Sequence, residues 1–269
     1  MLRSLYAGAS GLRSHQTRMD VIGNNIANVN TIGFKGSRAN FQDVLYQTIR
    51  FGSAGSDNTG GVNKSQVGLG VTVASITNNT GPGGMQSTGR DLDLAINGNG
   101  WFMVKPDASQ DEVYYTREGT FYIDNNGYLV NSNGYYLLDV SGNTIQFPSE
   151  GVASINISKD GIISYTPLGG EMVENAFQIG LAMFPNQDGL ERVGSNTFKE
   201  SLTSGAALDE KTPNSGGLGT INSGYLEMSN VDLTDEFTNM ISTQRGYQAN
   251  ARTITVTDQM IEELLALKR

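Results

Sequence analysis

The two ends of this chain carry matching helical stripes. Leu2, Leu5, Ala9, Leu12, Met19 and Ile26 recur at alternating spacings of three and four, with Gln16 and Gly23 completing the series. Phe237, Met240, Tyr247, Ala251, Ile254, Ile261 and Leu265 do the same, with Gln244 and Asp258 in the gaps. Such spacing holds apolar side chains on one line of a helix. Two lines at opposite ends of one chain must be covered, either by each other or by copies of the chain. A long two-ended helical arm is a device for assembly rather than for catalysis.

The first helix reads from about Leu2 to Asn30, on the order of 40 Å at roughly 1.5 Å per residue. Its end holds Asn24, Asn25, Asn28 and Asn30. Asn competes with the backbone for hydrogen bonds inside a helix. Two readings follow: the helix frays towards a stop at Gly33, or these amides bond to neighbouring chains. The last helix starts near Asp232. Asp235 and Glu236 lie in its first turns, and Lys268 and Arg269 lie at its end. That charge order complements the helix macrodipole.

Between the helices the pattern changes. Phe34–Ile49 is a second amphipathic stretch, with apolar positions Phe41, Val44, Leu45 and Tyr46. Phe51–Gly70 is rich in Gly, Ser, Asn and Thr, which predicts a loop or a segment ordered by a partner. From Val71 to about Phe198, short runs rich in β-branched and aromatic residues alternate with turn pairs. The runs are Leu92–Ile96, Trp101–Val104, Val113–Thr116, Phe121–Ile123, Tyr128–Val130, Tyr135–Leu138, Thr144–Phe147, Ser154–Ile157, Ile162–Tyr165 and Phe177–Phe184. The pairs include Asn97-Gly98, Asn126-Gly127, Asn133-Gly134 and Asp160-Gly161. Asn and Gly tolerate the positive φ of tight hairpins. Strands this close, with no helix between them, predict an antiparallel all-β body, and with the terminal helices the class is α+β.

Composition excludes several functions. A net charge of -9 and a pI near 4.6 argue against a nucleic-acid partner, which requires a basic face. There is no cysteine, hence no disulfide, thiolate metal site or cysteine nucleophile. Ser4, Ser10, Arg13, Ser14 and His15 interrupt any apolar run at the N-terminus, so neither a signal peptide nor membrane insertion is expected. A secreted chain of this kind needs a dedicated export route.

The single histidine, His15, lies in the first helix and reads as a surface or interface residue. Gly68-Leu69-Gly70 and Gly98-Asn99-Gly100 lack the third glycine of a dinucleotide loop. Asp124–Gly127 and Asp139–Asn143 lack the ligand spacing of an EF-hand and read as turns. Arg90, Asp91 and Asp93 read as a solvated strand face or an intersubunit salt bridge. No catalytic residue, cofactor or metal is expected. A secreted β-rich adhesin or carbohydrate binder would account for the aromatic set around Trp101, Tyr114 and Tyr135, but not for the paired terminal stripes.

Four segments carry a resemblance that runs nearly end to end. Asp20–Lys35 (DVIGNNIANVNTIGFK) resembles the N-terminal signature of bacterial flagellar rod and hook axial proteins. Ser229–Arg269 is similar to their C-terminal helix. Ser87–Val104 (STGRDLDLAINGNGWFMV) and Tyr115–Val130 (YTREGTFYIDNNGYLV) resemble their shared β-domain. Within the family, Leu226–Phe237, Gln244–Gln248 and Leu264–Arg269 resemble hook proteins, while Phe41–Arg50 and the chain length resemble the distal rod protein. The expectation is a short hook protein without the large outer domain, with the distal rod protein as the alternative.

The resemblance implies that residues 1–33 and 230–269 pair as a coiled-coil-like inner domain lining a channel. Residues 34–75 would connect it to a β-rich outer domain at 76–229. It implies a homopolymer, a hollow flexible tube passing torque from rod to filament. The implied partners are copies of the chain, the distal rod protein, the hook cap protein, the hook–filament junction protein and the flagellar type III export apparatus. The implied location is the hook and basal body of the flagellum, extracellular after export. Its self-assembly interface would draw on Leu2, Leu5, Leu12, Met19, Ile26, Asn24, Asn25 and Asn28, and on Phe237, Met240, Tyr247, Ile254, Ile261 and Leu265.

Overall fold

The computed structural model describes residues 2–55, 60–107, 112–148 and 151–267. The fold is α+β, with antiparallel sheets between two terminal helices that pack on each other. The chain divides into two compact units. One comprises Met1–Ile26, Ser37–Thr77 and Asp232–Arg269; the other comprises Ala27–Gly36 and Asn78–Val231.

The first unit holds helix α1 (Leu2–Ala27) and helix α2 (Leu233–Ala266). α1 stops three residues before the predicted end, and Gly33 has φ +67°. The α2 N-cap is Asp232, whose carboxylate accepts from the Thr234 and Asp235 amides at 2.7 and 3.4 Å. Those bonds satisfy amides that have no helical partner and hold the Asp232 carboxyl below its usual range. Asp235 and Glu236 follow in the first turn. The predicted basic end, Lys268 and Arg269, lies outside the described residues.

The stretch predicted as amphipathic from Phe34 is not helical. It forms two strands, Ser37–Asp43 and Tyr46–Arg50. The first pairs with Val71–Asn78, and the second pairs antiparallel with Ser65–Gly68. The pairing continues outward through reciprocal bonds between Ser53 and Val62 at 2.9 and 3.0 Å. Within the glycine-rich segment Ser65–Gly68 is thus a strand and Ser53 and Val62 form a bridge, while its other described residues are irregular, as a loop would be. Residues 56–59 within it lie outside the described residues.

The second unit is built on an eight-stranded sheet. Its path runs Glu191–Gly194, Thr197–Lys199, Tyr114–Thr116, Trp101–Lys105, Tyr136–Leu137, Leu129–Asn131 and Phe121–Ile123, with Leu181–Ala182 also on Trp101–Lys105. Trp101–Lys105 shows why its sequence is a continuous apolar run. Alternate residues of a strand face opposite ways. Trp101 and Met103 pack with Leu138, Phe184 and Phe198, while Phe102 and Val104 pack with Phe121, Leu129 and Leu137. Both faces are covered, so neither can be polar.

A three-stranded antiparallel sheet, Val152–Ile157, Ile162–Pro167 and Val173–Gln178, adds Ile157 and Ile163 to the same core. Most predicted strands appear within two residues of their expected ends. Thr144–Phe147 makes only isolated bridges, and Phe177–Phe184 is split between two sheets. Gly127 shows the turn chemistry: its φ is +82°, and a Cβ there would lie 2.2 Å from the Phe147 carbonyl oxygen.

Candidate assembly surface

α1 and α2 run antiparallel, in contact along most of their shared length. Gly8 lies against Ile254, Gly11 against Asn250, and His15 against Gly246. Arg18 Nη2 donates to Asn239 Oδ1 at 3.2 Å, and Asn25 Nδ2 donates to Glu236 Oε1 at 2.9 Å. A Cβ on Gly11 would stand 2.7 Å from Asn250 Nδ2, and one on Gly246 2.7 Å from His15 Cε1. Close approach therefore depends on glycine at these crossings. Thr243 and Thr257 are buried on α2, each hydroxyl donating to the carbonyl four residues back at 2.7 Å.

Apart from Ile254, which packs on Gly8, this seam is polar and small, and on α1 it lies one residue before the predicted apolar line. Gly8, Gly11, His15, Arg18 and Asn25 meet α2 where Ala9, Leu12, Gln16, Met19 and Ile26 are the heptad positions. On the apolar line Leu5, Leu12, Met19 and Ile26 are half-buried. The side chain of Leu2 lies outside the described residues. On α2, Met240, Ile254 and Ile261 are half-buried, while Phe237, Tyr247 and Leu265 are exposed. A further exposed row, Leu233, Phe237 and Ile241, then Val256, Met260 and Leu264, follows spacings of four.

Asn25 and Asn28 make hydrogen bonds within the chain. Asn25 is buried, donates to the Ser37 carbonyl at 2.8 Å and accepts from the Ser37 amide at 3.0 Å. Asn28 Oδ1 accepts from the Thr31 hydroxyl at 3.1 Å. Asn24 is exposed and also has an interaction within the chain. His15 sets its ring edge on Phe41 at 5.5 Å. Burial first, then the neighbouring Arg18 guanidinium, hold its imidazole below the ordinary value.

The hairpin also exposes a group of apolar side chains. Leu45, Tyr46, Ile49, Phe51, Val62, Val67 and Leu69 are all exposed, Phe51 by 83%. An isolated two-stranded ladder is marginally stable in water, and an apolar patch of this kind marks an interaction site.

Sequence reasoning missed a buried ionic cluster in the second unit. Glu227 Oε1 accepts from Lys35 Nζ at 2.5 Å, and Oε2 accepts from Arg117 Nη1 at 3.1 Å. All three side chains are no more than 1% exposed. Burial pushes the Lys35 ammonium and the Arg117 guanidinium down, and Glu227 draws both back up. The signal was present for Lys35 and Glu227 as single charges beside apolar and glycine residues, whereas Arg117 stands next to Glu118. Arg90 and Asp93 also differ from expectation: Asp93 is buried and pairs with Arg90 at 3.3 Å within the chain.

Among the described residues no group of His, Cys, Asp and Glu could hold a metal ion, and no helix is long and apolar enough to cross a membrane.

Comparison with known proteins agrees with this architecture. Residues 5–35 match the flagella basal body rod protein family, residues 95–165 the D1 domain of flagellar hook proteins FlgE/F/G, and residues 222–267 the C-terminal region of flagellar basal body rod FlgEFG proteins. The flagellar basal-body rod protein FlgG of Bacillus subtilis is 49% identical over 269 residues, covering the whole of both chains. FlgG of Borreliella burgdorferi is 41% identical over 273 residues, again covering both chains. The flagellar hook protein FlgE of the same organism is 29% identical, in an alignment that must open to 445 residues to cover both. These likenesses favour the distal rod alternative over the hook expectation.

Proposed function

The chain belongs to the flagellar rod and hook axial protein family, structural proteins of the bacterial flagellum, and from that membership we propose that it is the distal rod subunit. Copies stack through their terminal helices into a hollow tube that transmits torque as a stiff shaft. The observation that carries this reading is the state of the glycine-rich segment. A universal joint needs a soft linker there, able to take several lengths as the tube bends. Here the segment is hydrogen-bonded as a hairpin from Val44–Gly70 out to Ser53–Val62. Its exposed apolar side chains give neighbouring copies something to grip.

The apolar lines on α1 and α2 supply the cohesion. Because the intrachain seam uses the small residues beside them, Leu5, Leu12, Met19, Phe237, Tyr247 and Leu265 are left to meet other copies. On this reading the distal rod protein, expected above as a partner, is the chain itself, and the hook protein is its neighbour in the axial series. Negative-stain electron microscopy of polymer assembled from the purified chain tests the assignment. Straight tubes of constant diameter are the expected product. Curved or supercoiled tubes would return the chain to the hook.

A further inference from the structure

The buried ionic cluster joins three segments that are far apart in the chain. Lys35 and Glu227 are 192 residues apart, and Arg117 and Glu227 are 110 apart. Each cation is further anchored to backbone, Lys35 Nζ to the Gly81 carbonyl at 2.9 Å and Arg117 Nη2 to the Gly98 carbonyl at 2.8 Å. The Gly83 amide donates to Glu227 Oε1 at 2.8 Å, and the Gly33 amide to the Glu227 backbone carbonyl at 2.7 Å. One carboxylate thus serves two buried cations.

The charge arithmetic is asymmetric. Lys35 and Arg117 both precede Glu227, and without it the site would hold two like charges out of water. Desolvating two unpaired cations side by side costs far more than their remaining hydrogen bonds return. Removing Lys35, by contrast, leaves one cation and one anion, a neutral pair. The three residues therefore differ in what they control, although each is equally buried.

We infer that Glu227 is a folding latch: the second unit cannot close around Lys35 and Arg117 until the carboxylate of residue 227 has arrived. A chain made from its N-terminus then stays open through its first 226 residues, though these hold nearly all of that unit's strands. The latch delays compaction until the chain is almost complete. This does not rest on the rod assignment, since it concerns one subunit before any assembly.

The only tryptophan reports on the event. Trp101 is fully buried, and the Arg117 guanidinium stands 5.4 Å from its ring centroid. The experiment follows Trp101 fluorescence of the full chain during refolding from urea. Glu227→Gln keeps the shape and removes the charge. It is expected to refold at least about tenfold more slowly and to lose roughly a hundredfold or more in the folded-to-unfolded ratio. Lys35→Met, with its neutral remaining pair, is expected to refold within about threefold of the wild-type rate. If Glu227→Gln never reaches the native signal, Glu227→Asp decides, since it retains the charge at a longer reach; slowed refolding is expected. Wild-type refolding with only faster unfolding, in whichever glutamate variant folds, would overturn the latch. So would a Lys35→Met variant as slow as Glu227→Gln.

Discussion

His15 sits in the seam between the two helices, against Gly246 and with its ring edge on Phe41. Its imidazole titrates below its ordinary value of 6.5, so the folded state binds fewer protons there than the unfolded state. Stability from this group is therefore intact above about pH 6.5 and falls as pH drops towards the lowered folded value. Protonation would also place a second cation beside Arg18. His15→Gln removes the titration, and polymer carrying it should withstand acid to a lower pH than wild type. Light scattering during stepwise acidification measures this; coincident midpoints would show that His15 does not control the seam. The sequence left the histidine as either a surface or an interface residue and did not show its partners. A heptad series marks the apolar line. Only the missing side chains of Gly8, Gly11 and Gly246 reveal that the helices meet one residue away from it.

At the scale of elements, the terminal helices and most strands could be read directly, because a 3.6-residue period and Asn-Gly turns are local signals. The hairpin at residues 44–70 could not. Its second arm is glycine-rich and without period, so no local signal marks it as a strand, and its order comes from cross-strand bonds to the arm that precedes it. The ionic cluster was hidden because its members are scattered from Lys35 to Glu227. The division of the chain gives an element-level prediction. The second unit ends at Val231, and Glu227 lies inside it. Deleting residues 232–269 removes α2 and its N-cap Asp232 but leaves the ionic cluster whole. The truncated chain should show native Trp101 fluorescence and form no polymer. Tubes formed without α2 would refute the placing of assembly in the terminal helices, and loss of the Trp101 signal would show that the second unit depends on α2.

In the whole molecule, the proposed rod reading gives each of the two units its own task. The β-rich unit is covered on both faces of its central strand and closed by its own charges. The helical unit is joined internally mainly by small and polar residues, with Ile22 buried and Ile254 against Gly8, and the proposed rod reading assigns its exposed apolar residues to other copies. On the proposed rod reading, stacking of copies would cover the apolar surface that the single chain exposes. On the same reading the paired hairpin strands would hold one conformation in every copy, as a shaft requires. The most direct test is a reconstruction of the polymer without imposed symmetry, at a resolution that shows side chains. The account predicts Leu5, Leu12, Met19, Phe237, Tyr247 and Leu265 buried against neighbouring copies, with the hairpin in one conformation and one axial spacing around the whole circumference. Solvent at those six side chains, or hairpins and spacings that vary around the tube, would contradict it.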